Sequence, residues 1–275
     1  MIAISISDEE FALLARYIKN HFGIHLKEEK KTLLVGRLQQ VLHQLGMTNF
    51  SQYYQYLISD QTGQASNTLI NNISTNHTYF MRETDHFDFF KNTAIPNLAR
   101  NIKDYDFRIW CAGCSSGEEA YTLAMILEDC FGSQFPAWDK KMLATDISTK
   151  ALEKAVKGIY TEEAIANLPV QWKSNYFDKL NTGLYTVKQR VKNEIYYRKF
   201  NLMSNNMPFK KKFHIIFCRN VMIYFDTPTK NKLIQQFYEA TEPGGYLFLG
   251  HSEALERTKY GYQYVRPSVY RRLPL

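Results

Sequence analysis

Cysteine is scarce in these 275 residues: Cys111, Cys114, Cys130 and Cys218 are the full set, too few and too irregularly spaced for a disulfide framework. Reduced thiols are expected. Long apolar runs are missing too. Residues 215–218 and 246–249 are strand-sized, far below the roughly 20 residues that cross a bilayer. Residues 1–8 lack the positive start and apolar stretch of a secretory signal, so the expected location is the cytoplasm. There is no repeat and no low-complexity tract. With 45% hydrophobic and 22% charged residues, the whole chain should fold, as one domain of ordinary size plus a smaller companion. The net charge of +7 favours acidic partners but is spread over single Lys and Arg residues, so it names none.

What is present first is helical. Ser7 and Glu10 form a capping-box pattern, Phe11, Leu14, Ile18 and Phe22 fall on one face, and Gly23 stands where a C-cap belongs. The spacing predicts a second helix over residues 28–45 with Leu34, Leu38, Val41, Leu42 and Leu45 as its stripe, closed by Gly46. Asn49 or Ser51 opens a third helix around Tyr54 and Leu57, and a fourth carries Leu69, Ile70 and Ile73. Residues 1–74 therefore read as a small all-helical domain. The polar stretch Ser74-Thr75-Asn76-His77-Thr78 begins a linker placed at 75–84.

After a helix near residues 85–100, strands alternate with helices, the mark of a largely parallel sheet covered on both faces. This α/β region is placed at 85–275, with strands at 107–110, 142–145, 195–198, 213–217, 246–249 and near Val269-Tyr270. A Thr/Tyr/Val-rich insertion near 178–194 reads as a small antiparallel hairpin.

The strongest local signal is Ile109-Trp110-Cys111-Ala112-Gly113-Cys114-Ser115-Ser116-Gly117-Glu118-Glu119, a strand entering a glycine-punctuated turn and then a helix. Gly113 and Gly117 permit close backbone approach to a ligand. The G-x-x-x-G spacing is not the G-x-G-x-x-G of a dinucleotide fingerprint, and Glu118 and Glu119 would repel a pyrophosphate. They suit a ligand carrying a sulfonium, an ammonium and a ribose, which is S-adenosylmethionine. The same acids would also favour the helix dipole in a purely structural turn. Asp146 ends the next strand, where an acid commonly accepts from ribose hydroxyls, although it could instead cap the helix that starts near Ser148. Asn201 and Leu202 follow the third strand at the same edge, an amide for the adenine rim and an aliphatic group for its face. Arg219, Asn220 and Tyr224 leave the fourth strand near the expected methyl donor. In the alternative, Tyr224 packs and Arg219 pairs with a surface acid.

Taken in order, Asn76-His77-Thr78-Tyr79-Phe80-Met81-Arg82, Cys114-Ser115-Ser116-Gly117-Glu118-Glu119, Ala144-Thr145-Asp146-Ile147, Asn201-Leu202, Cys218-Arg219-Asn220-Val221-Met222-Ile223-Tyr224-Phe225 and Gly250-His251-Ser252-Glu253 resemble the chemotaxis receptor methyltransferases, the CheR family. The resemblance covers nearly the whole chain. It implies a Rossmann-like S-adenosylmethionine-dependent methyltransferase sheet with a small N-terminal all-helical domain and a small antiparallel β-subdomain insertion. It implies transfer of methyl groups to glutamate side chains in the cytoplasmic helical region of chemotaxis receptors. Asn76, Thr78 and Arg82 would touch the cofactor from the linker, joined by Glu119, Asp146, Asn201, Leu202, Arg219 and Asn220. Arg82 and Tyr224 would lie beside the transferring methyl.

Two features depart from the family pattern. Where the family presents arginines on its second helix, the outward face here carries Thr32, Gly36, Gln39, Gln40 and His43, leaving Lys27, Lys30, Lys31 and Arg37 at its start and margin. The loop Leu180-Asn181-Thr182-Gly183-Leu184 is shorter than in members that tether to a receptor tail, so no C-terminal peptide tether is expected. The Cys111-x-x-Cys114 pair lacks a second pair, and His77, His86, His214 and His251 do not form ligand spacing, so no metal is expected. Asn220 is not followed by the Pro-Pro-aromatic motif of amino-methylating nucleic-acid enzymes, and no basic, aromatic-rich stripe accompanies it, so no nucleic-acid partner is expected. The remaining alternatives are a non-catalytic adaptor that senses S-adenosylmethionine or a nucleotide, and a methyltransferase acting on another protein or RNA. The expected state is a monomer without membrane insertion.

Overall fold

The computed structural model describes residues 4–132, 138–255 and 260–273. Helix α1 (Asp8–Phe22) begins as its sequence dictates: Ser7 Oγ accepts from the Glu10 N–H and the Glu10 carboxylate accepts from the Ser7 N–H. Gly23 ends it at φ 73°, a left-handed position that costs glycine least. A 3₁₀ turn (Glu28–Lys30) leads into α2 (Lys31–Gln44), and Asn49 caps α3 (Phe50–Ser59) by accepting from the Gln52 N–H. Helix α4 (Gln64–Ile73) completes the group. Phe11, Leu14, Ile18, Leu34, Leu38, Phe50, Leu57, Leu69 and Ile70 share one core, each worth about 1.5–3 kcal/mol of burial. Leu45, expected in that stripe, lies past the end of α2 and is 42% exposed, because the helix stops one residue before it.

The helix expected near 85–100 is broken in the middle. Helix α5 (Thr84–Phe89) passes through a π turn (Phe90–Ala94) into the short α6 (Ile95–Ala99). Pro96 has no N–H to give to residue 92, so regular α-helical bonding cannot run through this point.

Strands β1 (Ile109–Ala112) and β2 (Met142–Asp146) flank α7 (Glu118–Phe131), and α8 (Thr149–Lys157) follows. A small sheet then forms from β3 (Ile159–Tyr160), β4 (Phe177–Lys179) and β5 (Tyr185–Val187), with the short α9 (Glu162–Ile165), α10 (Val170–Tyr176) and α11 (Gln189–Lys192) around it. The order is β3-β5-β4, antiparallel throughout. The expected hairpin is thus three-stranded, its third strand supplied from outside residues 178–194.

The main sheet continues with β6 (Ile195–Lys199), β7 (Phe213–Cys218), β8 (Thr241–Leu249) after α12 (Thr227–Ala240), β9 (Tyr262–Arg266) and β10 (Val269–Arg272). Its order is β6-β2-β1-β7-β8-β10-β9. The first five strands are parallel and the last two form an antiparallel edge, β9 having been missed in the sequence. Strands β1 and β7 are buried along their whole length, which is why they read as continuous apolar runs. The parallel strands all point their carboxyl ends the same way, and there the helical group closes over them. Ile24 bridges to Phe225, Asn71 Nδ2 donates to Thr149 Oγ1 at 2.9 Å, and Lys19 pairs with Asp226 at 2.7 Å. Among the described residues no helix is long and apolar enough to cross a membrane.

Candidate active site

A cavity of about 730 Å³ lies between the helical group and the carboxyl edge of the sheet. Asn76, Thr78, Arg82, Gly113, Glu119, Asp146, Asn201, Leu202, Arg219, Asn220 and Tyr224, which come from five separate segments, all line it. Parallel strands bring them together, since each loop leaving β1, β2, β6 and β7 emerges at the same edge.

The β1 loop is held open by strain. Ser115 has φ 50° and Gly113 φ 88°, and a Cβ on Gly113 would meet Val221 Cγ2 at 2.4 Å. Gly117 is not part of the lining; its missing side chain makes room for Ala155 instead. The two acids after it also separate. Glu119 faces the cavity, whereas Glu118 points away, accepts from Ser116 Oγ at 2.8 Å, and is pushed by burial above the usual carboxylate range. One carboxylate, not two, reaches the ligand space, because successive helical positions diverge by about 100°.

Asp146 is held without being exhausted. Its Oδ2 accepts from the Ser115 N–H and its Oδ1 from the Ser148 N–H, both at 2.8 Å, leaving further lone pairs toward the cavity. Burial raises its carboxyl above the usual range against these backbone donors. Ser148, not Asp146, caps α8 through Ala151. Asn201 is more committed than its sequence position implied. Its Nδ2 donates to the His21 carbonyl at 2.7 Å and its Oδ1 accepts from the Met203 N–H at 3.0 Å, so one N–H and one lone pair remain for an adenine edge.

Arg219 does pair with acids, but not at the surface. Its side chain is 1% exposed, with Nη1 on Glu119 at 2.7 Å and Nη2 on Glu83 at 3.0 Å, and it also donates to the Arg82 carbonyl. Burial opposes the guanidinium's charge, but Glu119 and Glu83 outweigh it and hold the proton more firmly than usual. Burial likewise pushes Glu83 up, and Arg219 outweighs that to hold its carboxyl low. Met81 (φ 60°), Glu83 (φ 57°), Ser115 and Asn220 (φ 59°) are four of the six non-glycine residues in left-handed backbone among the described residues, and all stand at this edge. Backbone strain of this kind gathers where a site is preorganised.

Two groups remain open. Arg82 donates Nη1 to the His77 carbonyl at 2.9 Å, and no carboxylate pairs with it among the described residues. The Tyr224 hydroxyl has no hydrogen-bond partner among them either. Sequence reasoning assigns no task to Glu83 or to Glu253, whose buried carboxylate accepts the N–H groups of Asn220, Ile223 and Gly250. Only long-range folding joins them to the site. His86 lies three residues from Glu83, and the fold brings His251 to both, with donor atoms within 4.8 Å. The Glu83 oxygen that faces both rings already holds Arg219, and that positive charge opposes a dication there. Cys111, Cys114 and Cys218 are buried with thiols pushed far up, which leaves them inert.

The chemistry of the lining fits S-adenosylmethionine: acids at Glu119 and Asp146 for its cationic and ribose parts, and Ile147, Leu202 and Val221 for an apolar ring. A mostly parallel sheet with this cavity at its carboxyl edge defines a Rossmann-like S-adenosylmethionine-dependent methyltransferase. The chain belongs to the CheR methyltransferase family. Residues 76–270 match that family's SAM binding domain and residues 9–74 its all-alpha domain. It is 42% identical over 272 residues to a chemotaxis protein methyltransferase of Borreliella burgdorferi, covering 98% of this chain and 96% of the relative. It is 36% identical over 253 residues to that of Escherichia coli, covering 91% and 86%. With Chemotaxis protein methyltransferase Cher2 of Pseudomonas putida it shares 32% over 268 residues, covering 96% and 97%.

Proposed function

We propose that this chain methylates glutamate side chains in the cytoplasmic helical region of chemotaxis receptors, leaving glutamate methyl esters. The observation that carries this reading is an Arg82 guanidinium with no carboxylate partner, and a Tyr224 hydroxyl with no hydrogen bond, among the described residues, in the same cavity as Glu119 and Asp146. A cation without a carboxylate partner, opposite acids for the cofactor, is what a carboxylate substrate needs.

S-adenosylmethionine supplies a methyl group on a sulfonium centre. Glutamate, with a pKa near ~4.3, is already ionised at neutral pH, so no general base is required. Its oxygen forms a bond to the methyl carbon as the carbon–sulfur bond breaks and the electron pair leaves with sulfur, giving the ester and S-adenosylhomocysteine. Catalysis on this reading is alignment in a water-poor pocket. Arg82 draws in the carboxylate and Tyr224 orients it. Asp146 holds the ribose, Asn201 and Leu202 the adenine, and Glu119, with Arg219, Asn220, Asn76 and Thr78, the methionyl part. Residues 1–74 form the docking domain, 75–84 the linker and 85–275 the catalytic domain.

Docking draws on fewer charges than the sequence offered. Arg37 is spent on the linker, donating to the Ile73 and Ser74 carbonyls and to Thr75 Oγ1, and Lys31 pairs with Asp8. Lys27, Lys30 and Lys230 remain at the cavity mouth, without an ion pair among the described residues, to receive an acidic helix. The loop at Leu180 is short and closes on itself, Leu180 N–H to the Leu184 carbonyl at 2.7 Å, which supports docking without a receptor-tail tether; the same reading has the chain act as a monomer in the cytoplasm. Labelled methyl transfer from S-adenosylmethionine to a receptor cytoplasmic fragment tests the reading. Base-labile label, lost when the receptor glutamates are replaced by alanine, is expected. Base-stable label, or cofactor binding with no transfer, would overturn it in favour of another substrate or a sensing adaptor.

A further inference from the structure

Gly250-His251-Ser252-Glu253 stood out in the sequence without a task. Glu253 is 5% exposed and does not line the cavity, yet its carboxylate reaches the segment that does. Oε2 accepts from the Asn220 N–H and the Gly250 N–H, both at 2.7 Å, and Oε1 from the Ile223 N–H at 3.1 Å. No cation pairs with this carboxylate among the described residues, so its charge is met by backbone donors. Two of those donors, Asn220 and Ile223, belong to the turn after β7, with Asn220 left-handed at φ 59°. Gly250 completes the fit: a Cβ there would stand 2.8 Å from the Asn220 backbone nitrogen and 2.5 Å from its Nδ2. The Ser268 hydroxyl fixes the other end by donating to the Glu253 carbonyl at 3.2 Å.

We infer that Glu253 is a positioning residue for methyl transfer, setting through the backbone of Asn220 and Ile223 where Arg219, Asn220 and Tyr224 face the cavity. Three N–H groups converge on one carboxylate, and a neutral amide cannot replace it. Glutamine offers one carbonyl oxygen and turns an NH₂ toward an N–H donor. The inference rests on the cavity being the cofactor and glutamate site.

The test is Glu253→Gln beside Gly250→Ala, each scored for thermal unfolding, for S-adenosylhomocysteine affinity by calorimetry, and for kcat and KM on a receptor fragment. Below their melting temperatures, both variants should lose roughly 10- to 100-fold in cofactor affinity and in kcat, the equivalent of leaving one or two buried donors unpaired. KM for the receptor, whose docking draws on Lys27, Lys30 and Lys230 at the cavity mouth, should change far less. A folded Glu253→Gln protein with wild-type affinity and kcat overturns the inference, whatever its melting temperature. If that variant does not fold, Gly250→Ala decides on the same readouts. Wild-type enzyme that binds S-adenosylhomocysteine but does not turn over the receptor would indict the substrate assignment instead, because affinity is read separately.

Discussion

Two clusters of charge stand at opposite ends of the same sheet. At the carboxyl edge, Arg219 joins Glu119 and Glu83. At the amino edge, Arg108 joins Asp106 at 2.8 Å and Glu242 at 2.9 Å, donates to the Lys212 carbonyl, and gives its N–H to His214 Nδ1. Each cluster depresses a buried histidine to about 4, His86 by burial and then Arg219, His214 by burial and then Arg108. By titration alone they are twins. They differ in what is left open. The amino-edge cluster closes on itself, while the carboxyl edge leaves Asp146 lone pairs, the Tyr224 hydroxyl and the Arg82 guanidinium facing a cavity. A perturbed proton affinity marks a dense ion-pair network; unspent valence in a cavity marks a site.

That difference can be broken by mutation. Arg219→Ala leaves Glu119 and Glu83 largely buried without their cation, so about 3–5 kcal/mol of stability should go, together with cofactor binding. Chemical denaturation beside calorimetry reads both. Arg82→Ala should lower turnover by roughly 100-fold while cofactor affinity stays within a few fold, because alignment is lost and the binding surface is kept; equal losses in both would remove Arg82 from the chemical step.

The histidines give a smaller, pH-dependent effect. Both hold folded values near 4 against 6.5 in the unfolded chain, so between these limits the unfolded state binds more protons. Stability should therefore be full above about pH 6.5 and fall as pH drops toward 4, by about 2 kcal/mol per histidine at pH 5. Urea midpoints at pH 7 and pH 5 measure it, and His214→Asn should shrink the difference without touching cofactor affinity. Smallest of all, Lys27→Ala with Lys30→Ala should raise KM for the receptor about two- to fivefold, and less at high salt, as exposed charges do.

Local signals were legible and distant ones were not. The capping box at Ser7, a cap at Asn49 or Ser51 and the glycine turn are all set within a few residues; the structure reproduces the box and the turn and gives the cap to Asn49. The strands buried on both faces announced themselves as apolar runs. Strand β9 did not, since most of it is exposed at a sheet edge and its pattern carries little alternation. The two-residue β3 is too short to show a period. At the site, strand order placed Gly113, Asp146 and Arg219 correctly, but which of Glu118 and Glu119 faces inward depends on helix phase. Glu83 meets Arg219, His86 meets His251 and Glu253 meets Asn220 across more than 30 residues of chain, and no spacing rule reports that. Arg37 was read as free for a partner because its acceptors are backbone carbonyls, which a sequence does not display.

The central claim, that the carboxyl-edge cavity and not charge density as such makes the site, is tested most directly by S-adenosylhomocysteine calorimetry on Asp146→Asn and Arg108→Ala. The predicted result is a loss of about tenfold or more for Asp146→Asn, from a charged acceptor removed at the ligand, and wild-type affinity for Arg108→Ala despite a lowered melting temperature. Equal losses in the two variants would contradict it.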